Sequence, residues 1–205
     1  MKQFLKKRWL WIVGACVLIA GVFVFLSQCH KTEKSPNPGE PTLTVETPQK
    51  LSASQTDEFT LDVTISTLGD ARYPAMSMRI AFDSSRLEFL GVEEGNLFVL
   101  SSENAAGQAL PEWSCNVQSS NDTGTINIMY LDLTGGKNAF IKDLLAEDDN
   151  VVLRLKFRLR GSARPGDVLD LTVDDAVFAA SDESQSLAMT TDTLKVKNGK
   201  IVIGD

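Results

Sequence analysis

The residue types that drive enzyme chemistry are scarce in this chain and badly placed for it. The one histidine, His30, sits just ahead of a charged, proline-rich run rather than among candidate strands. A Ser-His or Cys-His nucleophile pair would need its base on a tether, and a His-rich metal centre is excluded by count. Acidic neighbours occur as Glu93-Glu94, Glu147-Asp148-Asp149 and Asp174-Asp175. Adjacent residues of a strand face opposite ways, so such pairs do not flank a scissile bond and read as solvated turn charges. The 147–150 cluster offers oxygen ligands for Ca2+, yet it lacks the spaced Asp/Asn and the glycine of a calcium loop. No catalytic residue, metal site or cofactor is expected.

Binding chemistry has somewhat more to work with. A sugar platform needs flat aromatic rings flanked by amides or carboxylates, and beyond residue 11 the chain holds only Trp113, Tyr73 and Tyr130 as Trp or Tyr. In Pro111-Glu112-Trp113-Ser114-Cys115, Trp113 alternates with Cys115 and Val117 as a core row would, which leaves it a secondary candidate for carbohydrate. Residues 35–205 hold 14 basic and 26 acidic residues, a net charge of −12. That balance argues against nucleic acid or anionic lipid as the partner of this part of the chain.

The N-terminus has a different character. Residues 1–8 carry Lys2, Lys6, Lys7 and Arg8 without an acid, and residues 9–26 carry no charge. Eighteen helical residues cover about 27 Å, enough for a thin hydrocarbon core, and Trp9 and Trp11 suit its interface. A transmembrane or signal-anchor helix is expected over 9–26, with 1–8 inside a bacterial cytoplasmic membrane and the remainder outside. Three fates stay open: a retained anchor, lipidation, or release. Leu26-Ser27-Gln28-Cys29 resembles a lipobox with Cys29 as the lipidated residue, although Gln28 stands where a small residue belongs. Residues 27–41 then read as a stalk, stiffened by Pro36, Pro38 and Pro41.

From Thr42 the hydrophobic period becomes two. Leu43 and Val45, then Phe59, Leu61, Val63 and Ile65, then Met76, Met78, Ile80 and Phe82 alternate with polar neighbours, the pattern of half-buried strands. Further strands are expected at 86–92, 124–133, 151–159, 167–173, 187–196 and 199–203, with turns at Gly69-Asp70, Asp122-Thr123-Gly124, Gly135-Gly136, Arg164-Pro165-Gly166 and Asn198-Gly199. Only 137–146 has a helical period, through Phe140, Ile141, Leu144 and Leu145. Strands following strands imply an all-β fold over 42–205, an antiparallel sandwich of nine strands with jelly-roll topology. Cys115 is the one cysteine of that region, so the core must hold it without an internal disulfide.

The stretch Met78–Gly95 (MRIAFDSSRLEFLGVEEG) resembles a recognisable part of cohesin domains: a strand ending in an aromatic-Asp turn, a Leu-Glu strand, then acid and Gly. Read physically, it is a hairpin: Phe82 closes an inward row, Asp83-Ser84-Ser85 turns the chain, and Leu87 and Phe89 face in. Later pieces follow the family order, namely Gly124–Leu133 ending in Thr134-Gly135-Gly136, Val151–Leu159, Arg164-Pro165-Gly166-Asp167, Val177-Phe178-Ala179 and Asn198–Ile203. The resemblance covers about residues 42–204. It implies a non-catalytic module whose usual task is to hold a dockerin-type protein domain in complexes that degrade polysaccharide. The resemblance implies a dockerin contact on the outward face of the strand carrying Tyr73, Ala75, Ser77 and Arg79, and Arg79 with Met129 and Leu131 on a later strand would form a different contact surface. In the best-known type the positions of Ala75 and Ser77 hold Asn and Asp, so this chain would need a different contact.

Overall fold

Alternation at two residues produces strands, and eleven of them form among the described residues of the computed structural model. Those residues are 39–48, 50–101, 105–108, 112–147, 149–181, 188–190 and 192–205. The expected segments 1–8 and 9–26, all of 27–41 before residue 39, and Cys29 lie outside them. Among the described residues no helix is long and apolar enough to cross a membrane.

In chain order the elements are β1 (Thr42–Val45), β2 (Leu51–Ser52), β3 (Phe59–Ile65), β4 (Ala75–Ala81), β5 (Leu87–Glu94), β6 (Glu112–Cys115), α1 (Val117–Thr123), β7 (Thr125–Leu131), β8 (Val151–Leu159), β9 (Val168–Ala179), β10 (Lys195–Lys197) and β11 (Gly199–Gly204). They build two sheets, ordered β10-β1-β3-β8-β5 and β2-β11-β9-β4-β7-β6. Nine antiparallel strands were expected. The extra members are short, and β2 and β10 run parallel to β11 and β1. Two or three residues hold no measurable period, which is why only longer strands announce themselves. Of the expected strand 187–196, β10 and an isolated bridge from Met189 to Phe178 are what the described residues retain.

Between the sheets lies one continuous apolar layer. Leu43, Val63, Ile80, Leu87, Phe89, Ile126, Leu155, Phe157, Leu171, Phe178 and Ile201 are all fully buried. Each such side chain contributes about 1.5–3 kcal/mol of transfer free energy. Phe157 of β8 anchors one aromatic group, with ring centroids 5.6 Å from both Phe82 and Phe89. Tyr130 and Phe140 anchor another, 4.9 Å apart, and Phe98 lies 5.4 Å from Tyr130. Cys115 is free and half-buried.

Three local expectations are corrected. The hairpin expected across Met78–Gly95 is a crossing: β4 lies in the six-stranded sheet and β5 in the five-stranded one. Inward rows ending at Phe82 and restarting at Leu87 are equally served by two facing sheets, so periodicity does not separate the cases. The helix expected at 137–146 is a single 3-10 turn over Lys142–Leu144. Phe140 instead pairs in extended form with Tyr73, each amide donating to the other's carbonyl at 3.0 Å. The helix that does form, α1, is polar but for Val117, which packs against the core. Its ends explain it, since the Asn116 side chain accepts from the Ser119 amide at 2.9 Å and Gly124 closes it at φ 68°. A Cβ on Gly124 would stand 2.9 Å from the Phe82 carbonyl oxygen, so the stop residue is also a packing requirement.

At the crossing, Asp83 accepts from the Ser85 amide at 2.9 Å and pairs with Arg86 at 2.5 Å, while Arg86 reaches Asp167 at 3.1 Å. The Ser85 hydroxyl, against the opposing pull of partial burial and with help from Arg86, holds the Asp83 carboxyl below the usual carboxylate range. Opposite it, α1 seals the sheet edge. Asn121 accepts from the Phe89 amide at 2.9 Å and donates to the Phe89 carbonyl at 2.8 Å, as a neighbouring strand would.

Asn121→Ala leaves a donor and an acceptor of a buried edge residue unpaired, so unfolding free energy falls by about 2 kcal/mol, read as a lower urea midpoint. Asp122→Ala, on the exposed side of α1, changes it by less than about 0.5 kcal/mol. Because the folded Asp83 value lies below the unfolded one, its stabilisation is complete above about pH 3.9 and disappears as pH falls through the folded value. The gap in Tm between the natural chain and Asp83→Asn therefore stays constant near neutrality and narrows only at the acid end.

Candidate functional site

Both sheets turn one face to solvent, and the two faces differ in how their charges are satisfied. On the five-stranded sheet, β8 projects Arg154, Lys156 and Arg158 outward between acids of its neighbours. Arg154 meets Asp62 at 3.1 Å, Lys156 meets Glu93 at 2.6 Å, and Arg158 meets Glu58 at 2.8 Å and Glu88 at 3.5 Å. Hydrogen bonding to Glu93 raises the Lys156 ammonium above its ordinary value. Each exposed pair contributes little to stability. Together they leave that face self-satisfied, with its long side chains engaged laterally.

The six-stranded face is built differently. The register of β4 with β7 sets Ala75 opposite Leu131, Ser77 opposite Met129 and Arg79 opposite Asn127. On the other side of β4, Ala75 faces Ala179, Ser77 faces Val177 and Arg79 faces Asp175. Because Met76, Met78 and Ile80 are buried, the alternate positions necessarily point out. Met129 is 58% exposed, Leu131 44% and, two residues beyond β7, Leu133 50%. Val168 and Val202, paired across β9 and β11, are exposed on the same sheet. A shallow depression of about 440 Å3 opens beside this apolar row, lined among others by Ser77, Arg79, Ser114, Asn127 and Asp175. Arg79 makes no ion pair or hydrogen bond with another described residue.

Five of the six expected contact residues are therefore brought together: Ala75, Ser77 and Arg79 on β4, Met129 and Leu131 on β7. Tyr73 is not among them. It is 1% exposed and its ring meets Phe178 edge-on at 6.3 Å. Counting by twos from Ala75 places Tyr73 outward, but β4 begins at Ala75, and Pro74 separates it from the bridge in which Tyr73 pairs with Phe140. Alternation does not carry across that break. Asn127 could have been found by its parity with Met129. Asp175 could not, because the register shift between Arg79 and Ile80 places Asp174 as an extra residue and changes which acid of the pair shares the face.

Trp113 packs toward the core. Its ring centroid lies 4.8 Å from Tyr130 and 6.1 Å from Phe98, and the side chain is half-buried. Tyr130 is fully buried and donates its hydroxyl to the Asn138 carbonyl at 2.6 Å; burial, with Asp132 and Glu94 adding to it, pushes its phenol above the normal range. Acidic neighbours do not converge. Glu93 is held by Lys156, and among the described residues no three His, Cys, Asp or Glu side chains gather as a metal site.

A model of the cohesin domain matches residues 43–203 of the chain. No curated protein matches it. Among solved structures, the OlpA cohesin of Clostridium thermocellum, in complex with the dockerin Doc918, is 19% identical, covering 80% of this chain and 99% of its own with a TM-score of 0.57. The third ScaC cohesin of Acetivibrio cellulolyticus, bound to the ScaB dockerin, is 14% identical with the same coverage and TM-score. The cohesin module of a Clostridium perfringens family 33 glycoside hydrolase is 11% identical, covering 80% of this chain and 97% of its own at a TM-score of 0.56. With two sheets, an inward aromatic layer and a family match over nearly the whole described region, the chain belongs to the cohesin domain family.

Proposed function

We propose that this chain is a non-catalytic module that binds a dockerin-type domain through the outward face of its six-stranded sheet. The observation that carries the reading is the contrast between the two faces: one has its charges locked in lateral pairs, the other presents Met129, Leu131 and an Arg79 that has no ion pair among the described residues. A sheet face bearing exposed aliphatics around a depression is the usual form of a protein-docking surface. Two of the solved cohesins of similar fold are complexes with dockerins, which supports the same partner class here. Strands that alternate between the two sheets support a jelly-roll winding.

Placement outside a bacterial cytoplasmic membrane is part of the proposal. It rests on the basic residues 1–8, the uncharged run 9–26 and the stalk 27–41, with either a retained span or a lipid on Cys29 as the attachment. Such a module would hold polysaccharide-degrading components near the cell. Direct glycan binding is the weaker reading, since the Trp113 ring is packed against Tyr130 and Phe98 rather than laid open as a platform.

The full chain, extracted in mild detergent and immobilised, is expected to bind recombinant dockerin domains in surface plasmon resonance. Replacing Met129 and Leu131 together by Asp weakens that binding by at least about thirtyfold, as loss of a central apolar contact does. Arg158→Ala, on the opposite sheet, leaves it unchanged. Binding that ignores the β7 substitutions sinks the choice of face, and absence of dockerin binding alongside polysaccharide retention lost in Trp113→Ala replaces the proposal with the glycan reading. Intact mass of the extracted protein separates a retained N-terminal span from a lipidated Cys29.

A further inference from the structure

The inward row of β7 ends on a charge. Ile126, Ile128 and Tyr130 are buried in alternation, and the next inward residue, just past the strand, is Asp132, which is 9% exposed. Its Oδ1 is engaged, accepting from the Thr134 amide at 2.7 Å and from the Thr134 hydroxyl. Its Oδ2 is out of contact with solvent and accepts from no described residue. The adjacent strand carries a counterpart of opposite character. The indole nitrogen of Trp113 is buried as well and donates to no described residue, although its ring packs on Tyr130 and Phe98.

The register brings these two atoms to the same place. β6 pairs with β7 so that Trp113 faces Tyr130, which makes Asp132 the diagonal neighbour of Trp113 on the inward side. Diagonal neighbours lie about 7–8 Å apart, within reach of a long aromatic side chain. Two hydrogen bonds in series span up to about 6 Å, so one intervening atom can join them. What that atom belongs to follows from the two groups. An indole only donates, and an ionised carboxylate only accepts. A cation would serve Asp132 and stand against the positive end of the indole N–H; an anion would do the reverse. A neutral molecule that accepts from one and donates to the other serves both, and in a site closed to solvent that molecule is water.

We propose that one internal water molecule is bound between Trp113 and Asp132, accepting from the indole N–H and donating to Oδ2. It completes a line of bonds across this end of the sandwich. The Thr134 hydroxyl, held by Asp132, accepts from the Asn138 amide at 3.1 Å. Asn138 in turn takes the Tyr130 hydroxyl on its carbonyl and both backbone groups of Leu100 through its carboxamide. β6 has four residues and is the edge of its sheet, laddered on one side only. The water gives this short edge a second attachment, to the loop that follows β7. The site does not depend on what docks on the outward face.

The test uses the full chain, labelled with 15N and held in mild detergent, with the Trp113 indole resonance assigned through its contacts to the Tyr130 and Phe98 rings. A cross-peak to water is expected, of opposite sign in laboratory-frame and rotating-frame experiments, the mark of a water held in place rather than of proton exchange. Urea unfolding of Trp113→Phe, Asp132→Asn and the double variant is the second measurement. Each single change strands the other group, so each raises the unfolding constant at least about tenfold, while the double variant falls short of their product by about tenfold. Absence of the water cross-peak overturns the inference, and so do effects that simply multiply. A rise in Tm on adding Ca2+ that Asp132→Asn abolishes also overturns it, assigning the site to a cation.

Discussion

A sandwich whose strands cross repeatedly between sheets leaves backbone donors and acceptors at its sheet edges and connections without a ladder partner, and here asparagine carboxamides take several of them in pairs. Asn121 bridges the amide and carbonyl of Phe89, Asn138 those of Leu100, and Asn150 those of Ala146. Asn96 accepts from Val151 and donates to the Asp149 carbonyl, and Asn198 accepts from Val173 beside the β9 bulge. A carboxamide carries one acceptor and two donors in a plane, so it reproduces the edge of a peptide group where no strand can reach. An unpaired buried backbone group costs about as much as a lost hydrogen bond, so without these bridges the crossings would open. With no disulfide between the sheets, the aromatic layer keeps its registry because its ends are closed this way.

Closing the edges also decides which surfaces remain for recognition. The β5 edge is occupied by Asn121, and a paired edge offers nothing to an added strand. The outward face of the five-stranded sheet is occupied by its own lateral ion pairs, each of which would have to be broken or desolvated on docking. The six-stranded face has neither protection. Its relief follows from which residues β4 and β7 can spare, since every other position on both strands is committed to the core. Function on this fold lives in the uncommitted half of the strands.

That division explains what could be read from the chain and what could not. Strand alternation over Phe59–Ile65, Ala75–Ala81 and Val151–Leu159 is forced by burial, so it is written in residue type. Sheet membership is not: β4 and β5 show the same inward rows whether they form a hairpin or face each other across the core. Tyr73 was misplaced because Pro74 interrupts the parity, and Asp175 was hidden because a bulge shifts it. The helix α1 carries no apolar period and is held by its caps and by Asn121, interactions between residues whose types are equally common in turns. The 137–146 segment errs in the opposite sense, with a helical period arising from Phe140, buried through its extended pairing with Tyr73, and Leu145, which packs only partly on the core.

The same division accounts for a fold kept at 11–19% identity over most of the chain. Inward positions tolerate exchange among aliphatic and aromatic residues of similar volume, so the sandwich survives extensive substitution. Outward positions on the six-stranded sheet contribute almost nothing to that packing and can change without cost to the fold. Ala75, Ser77 and Arg79 on β4 and Met129 and Leu131 on β7 are such positions. Folding therefore leaves the exposed residues of that face free to vary while the inward rows hold the sandwich together.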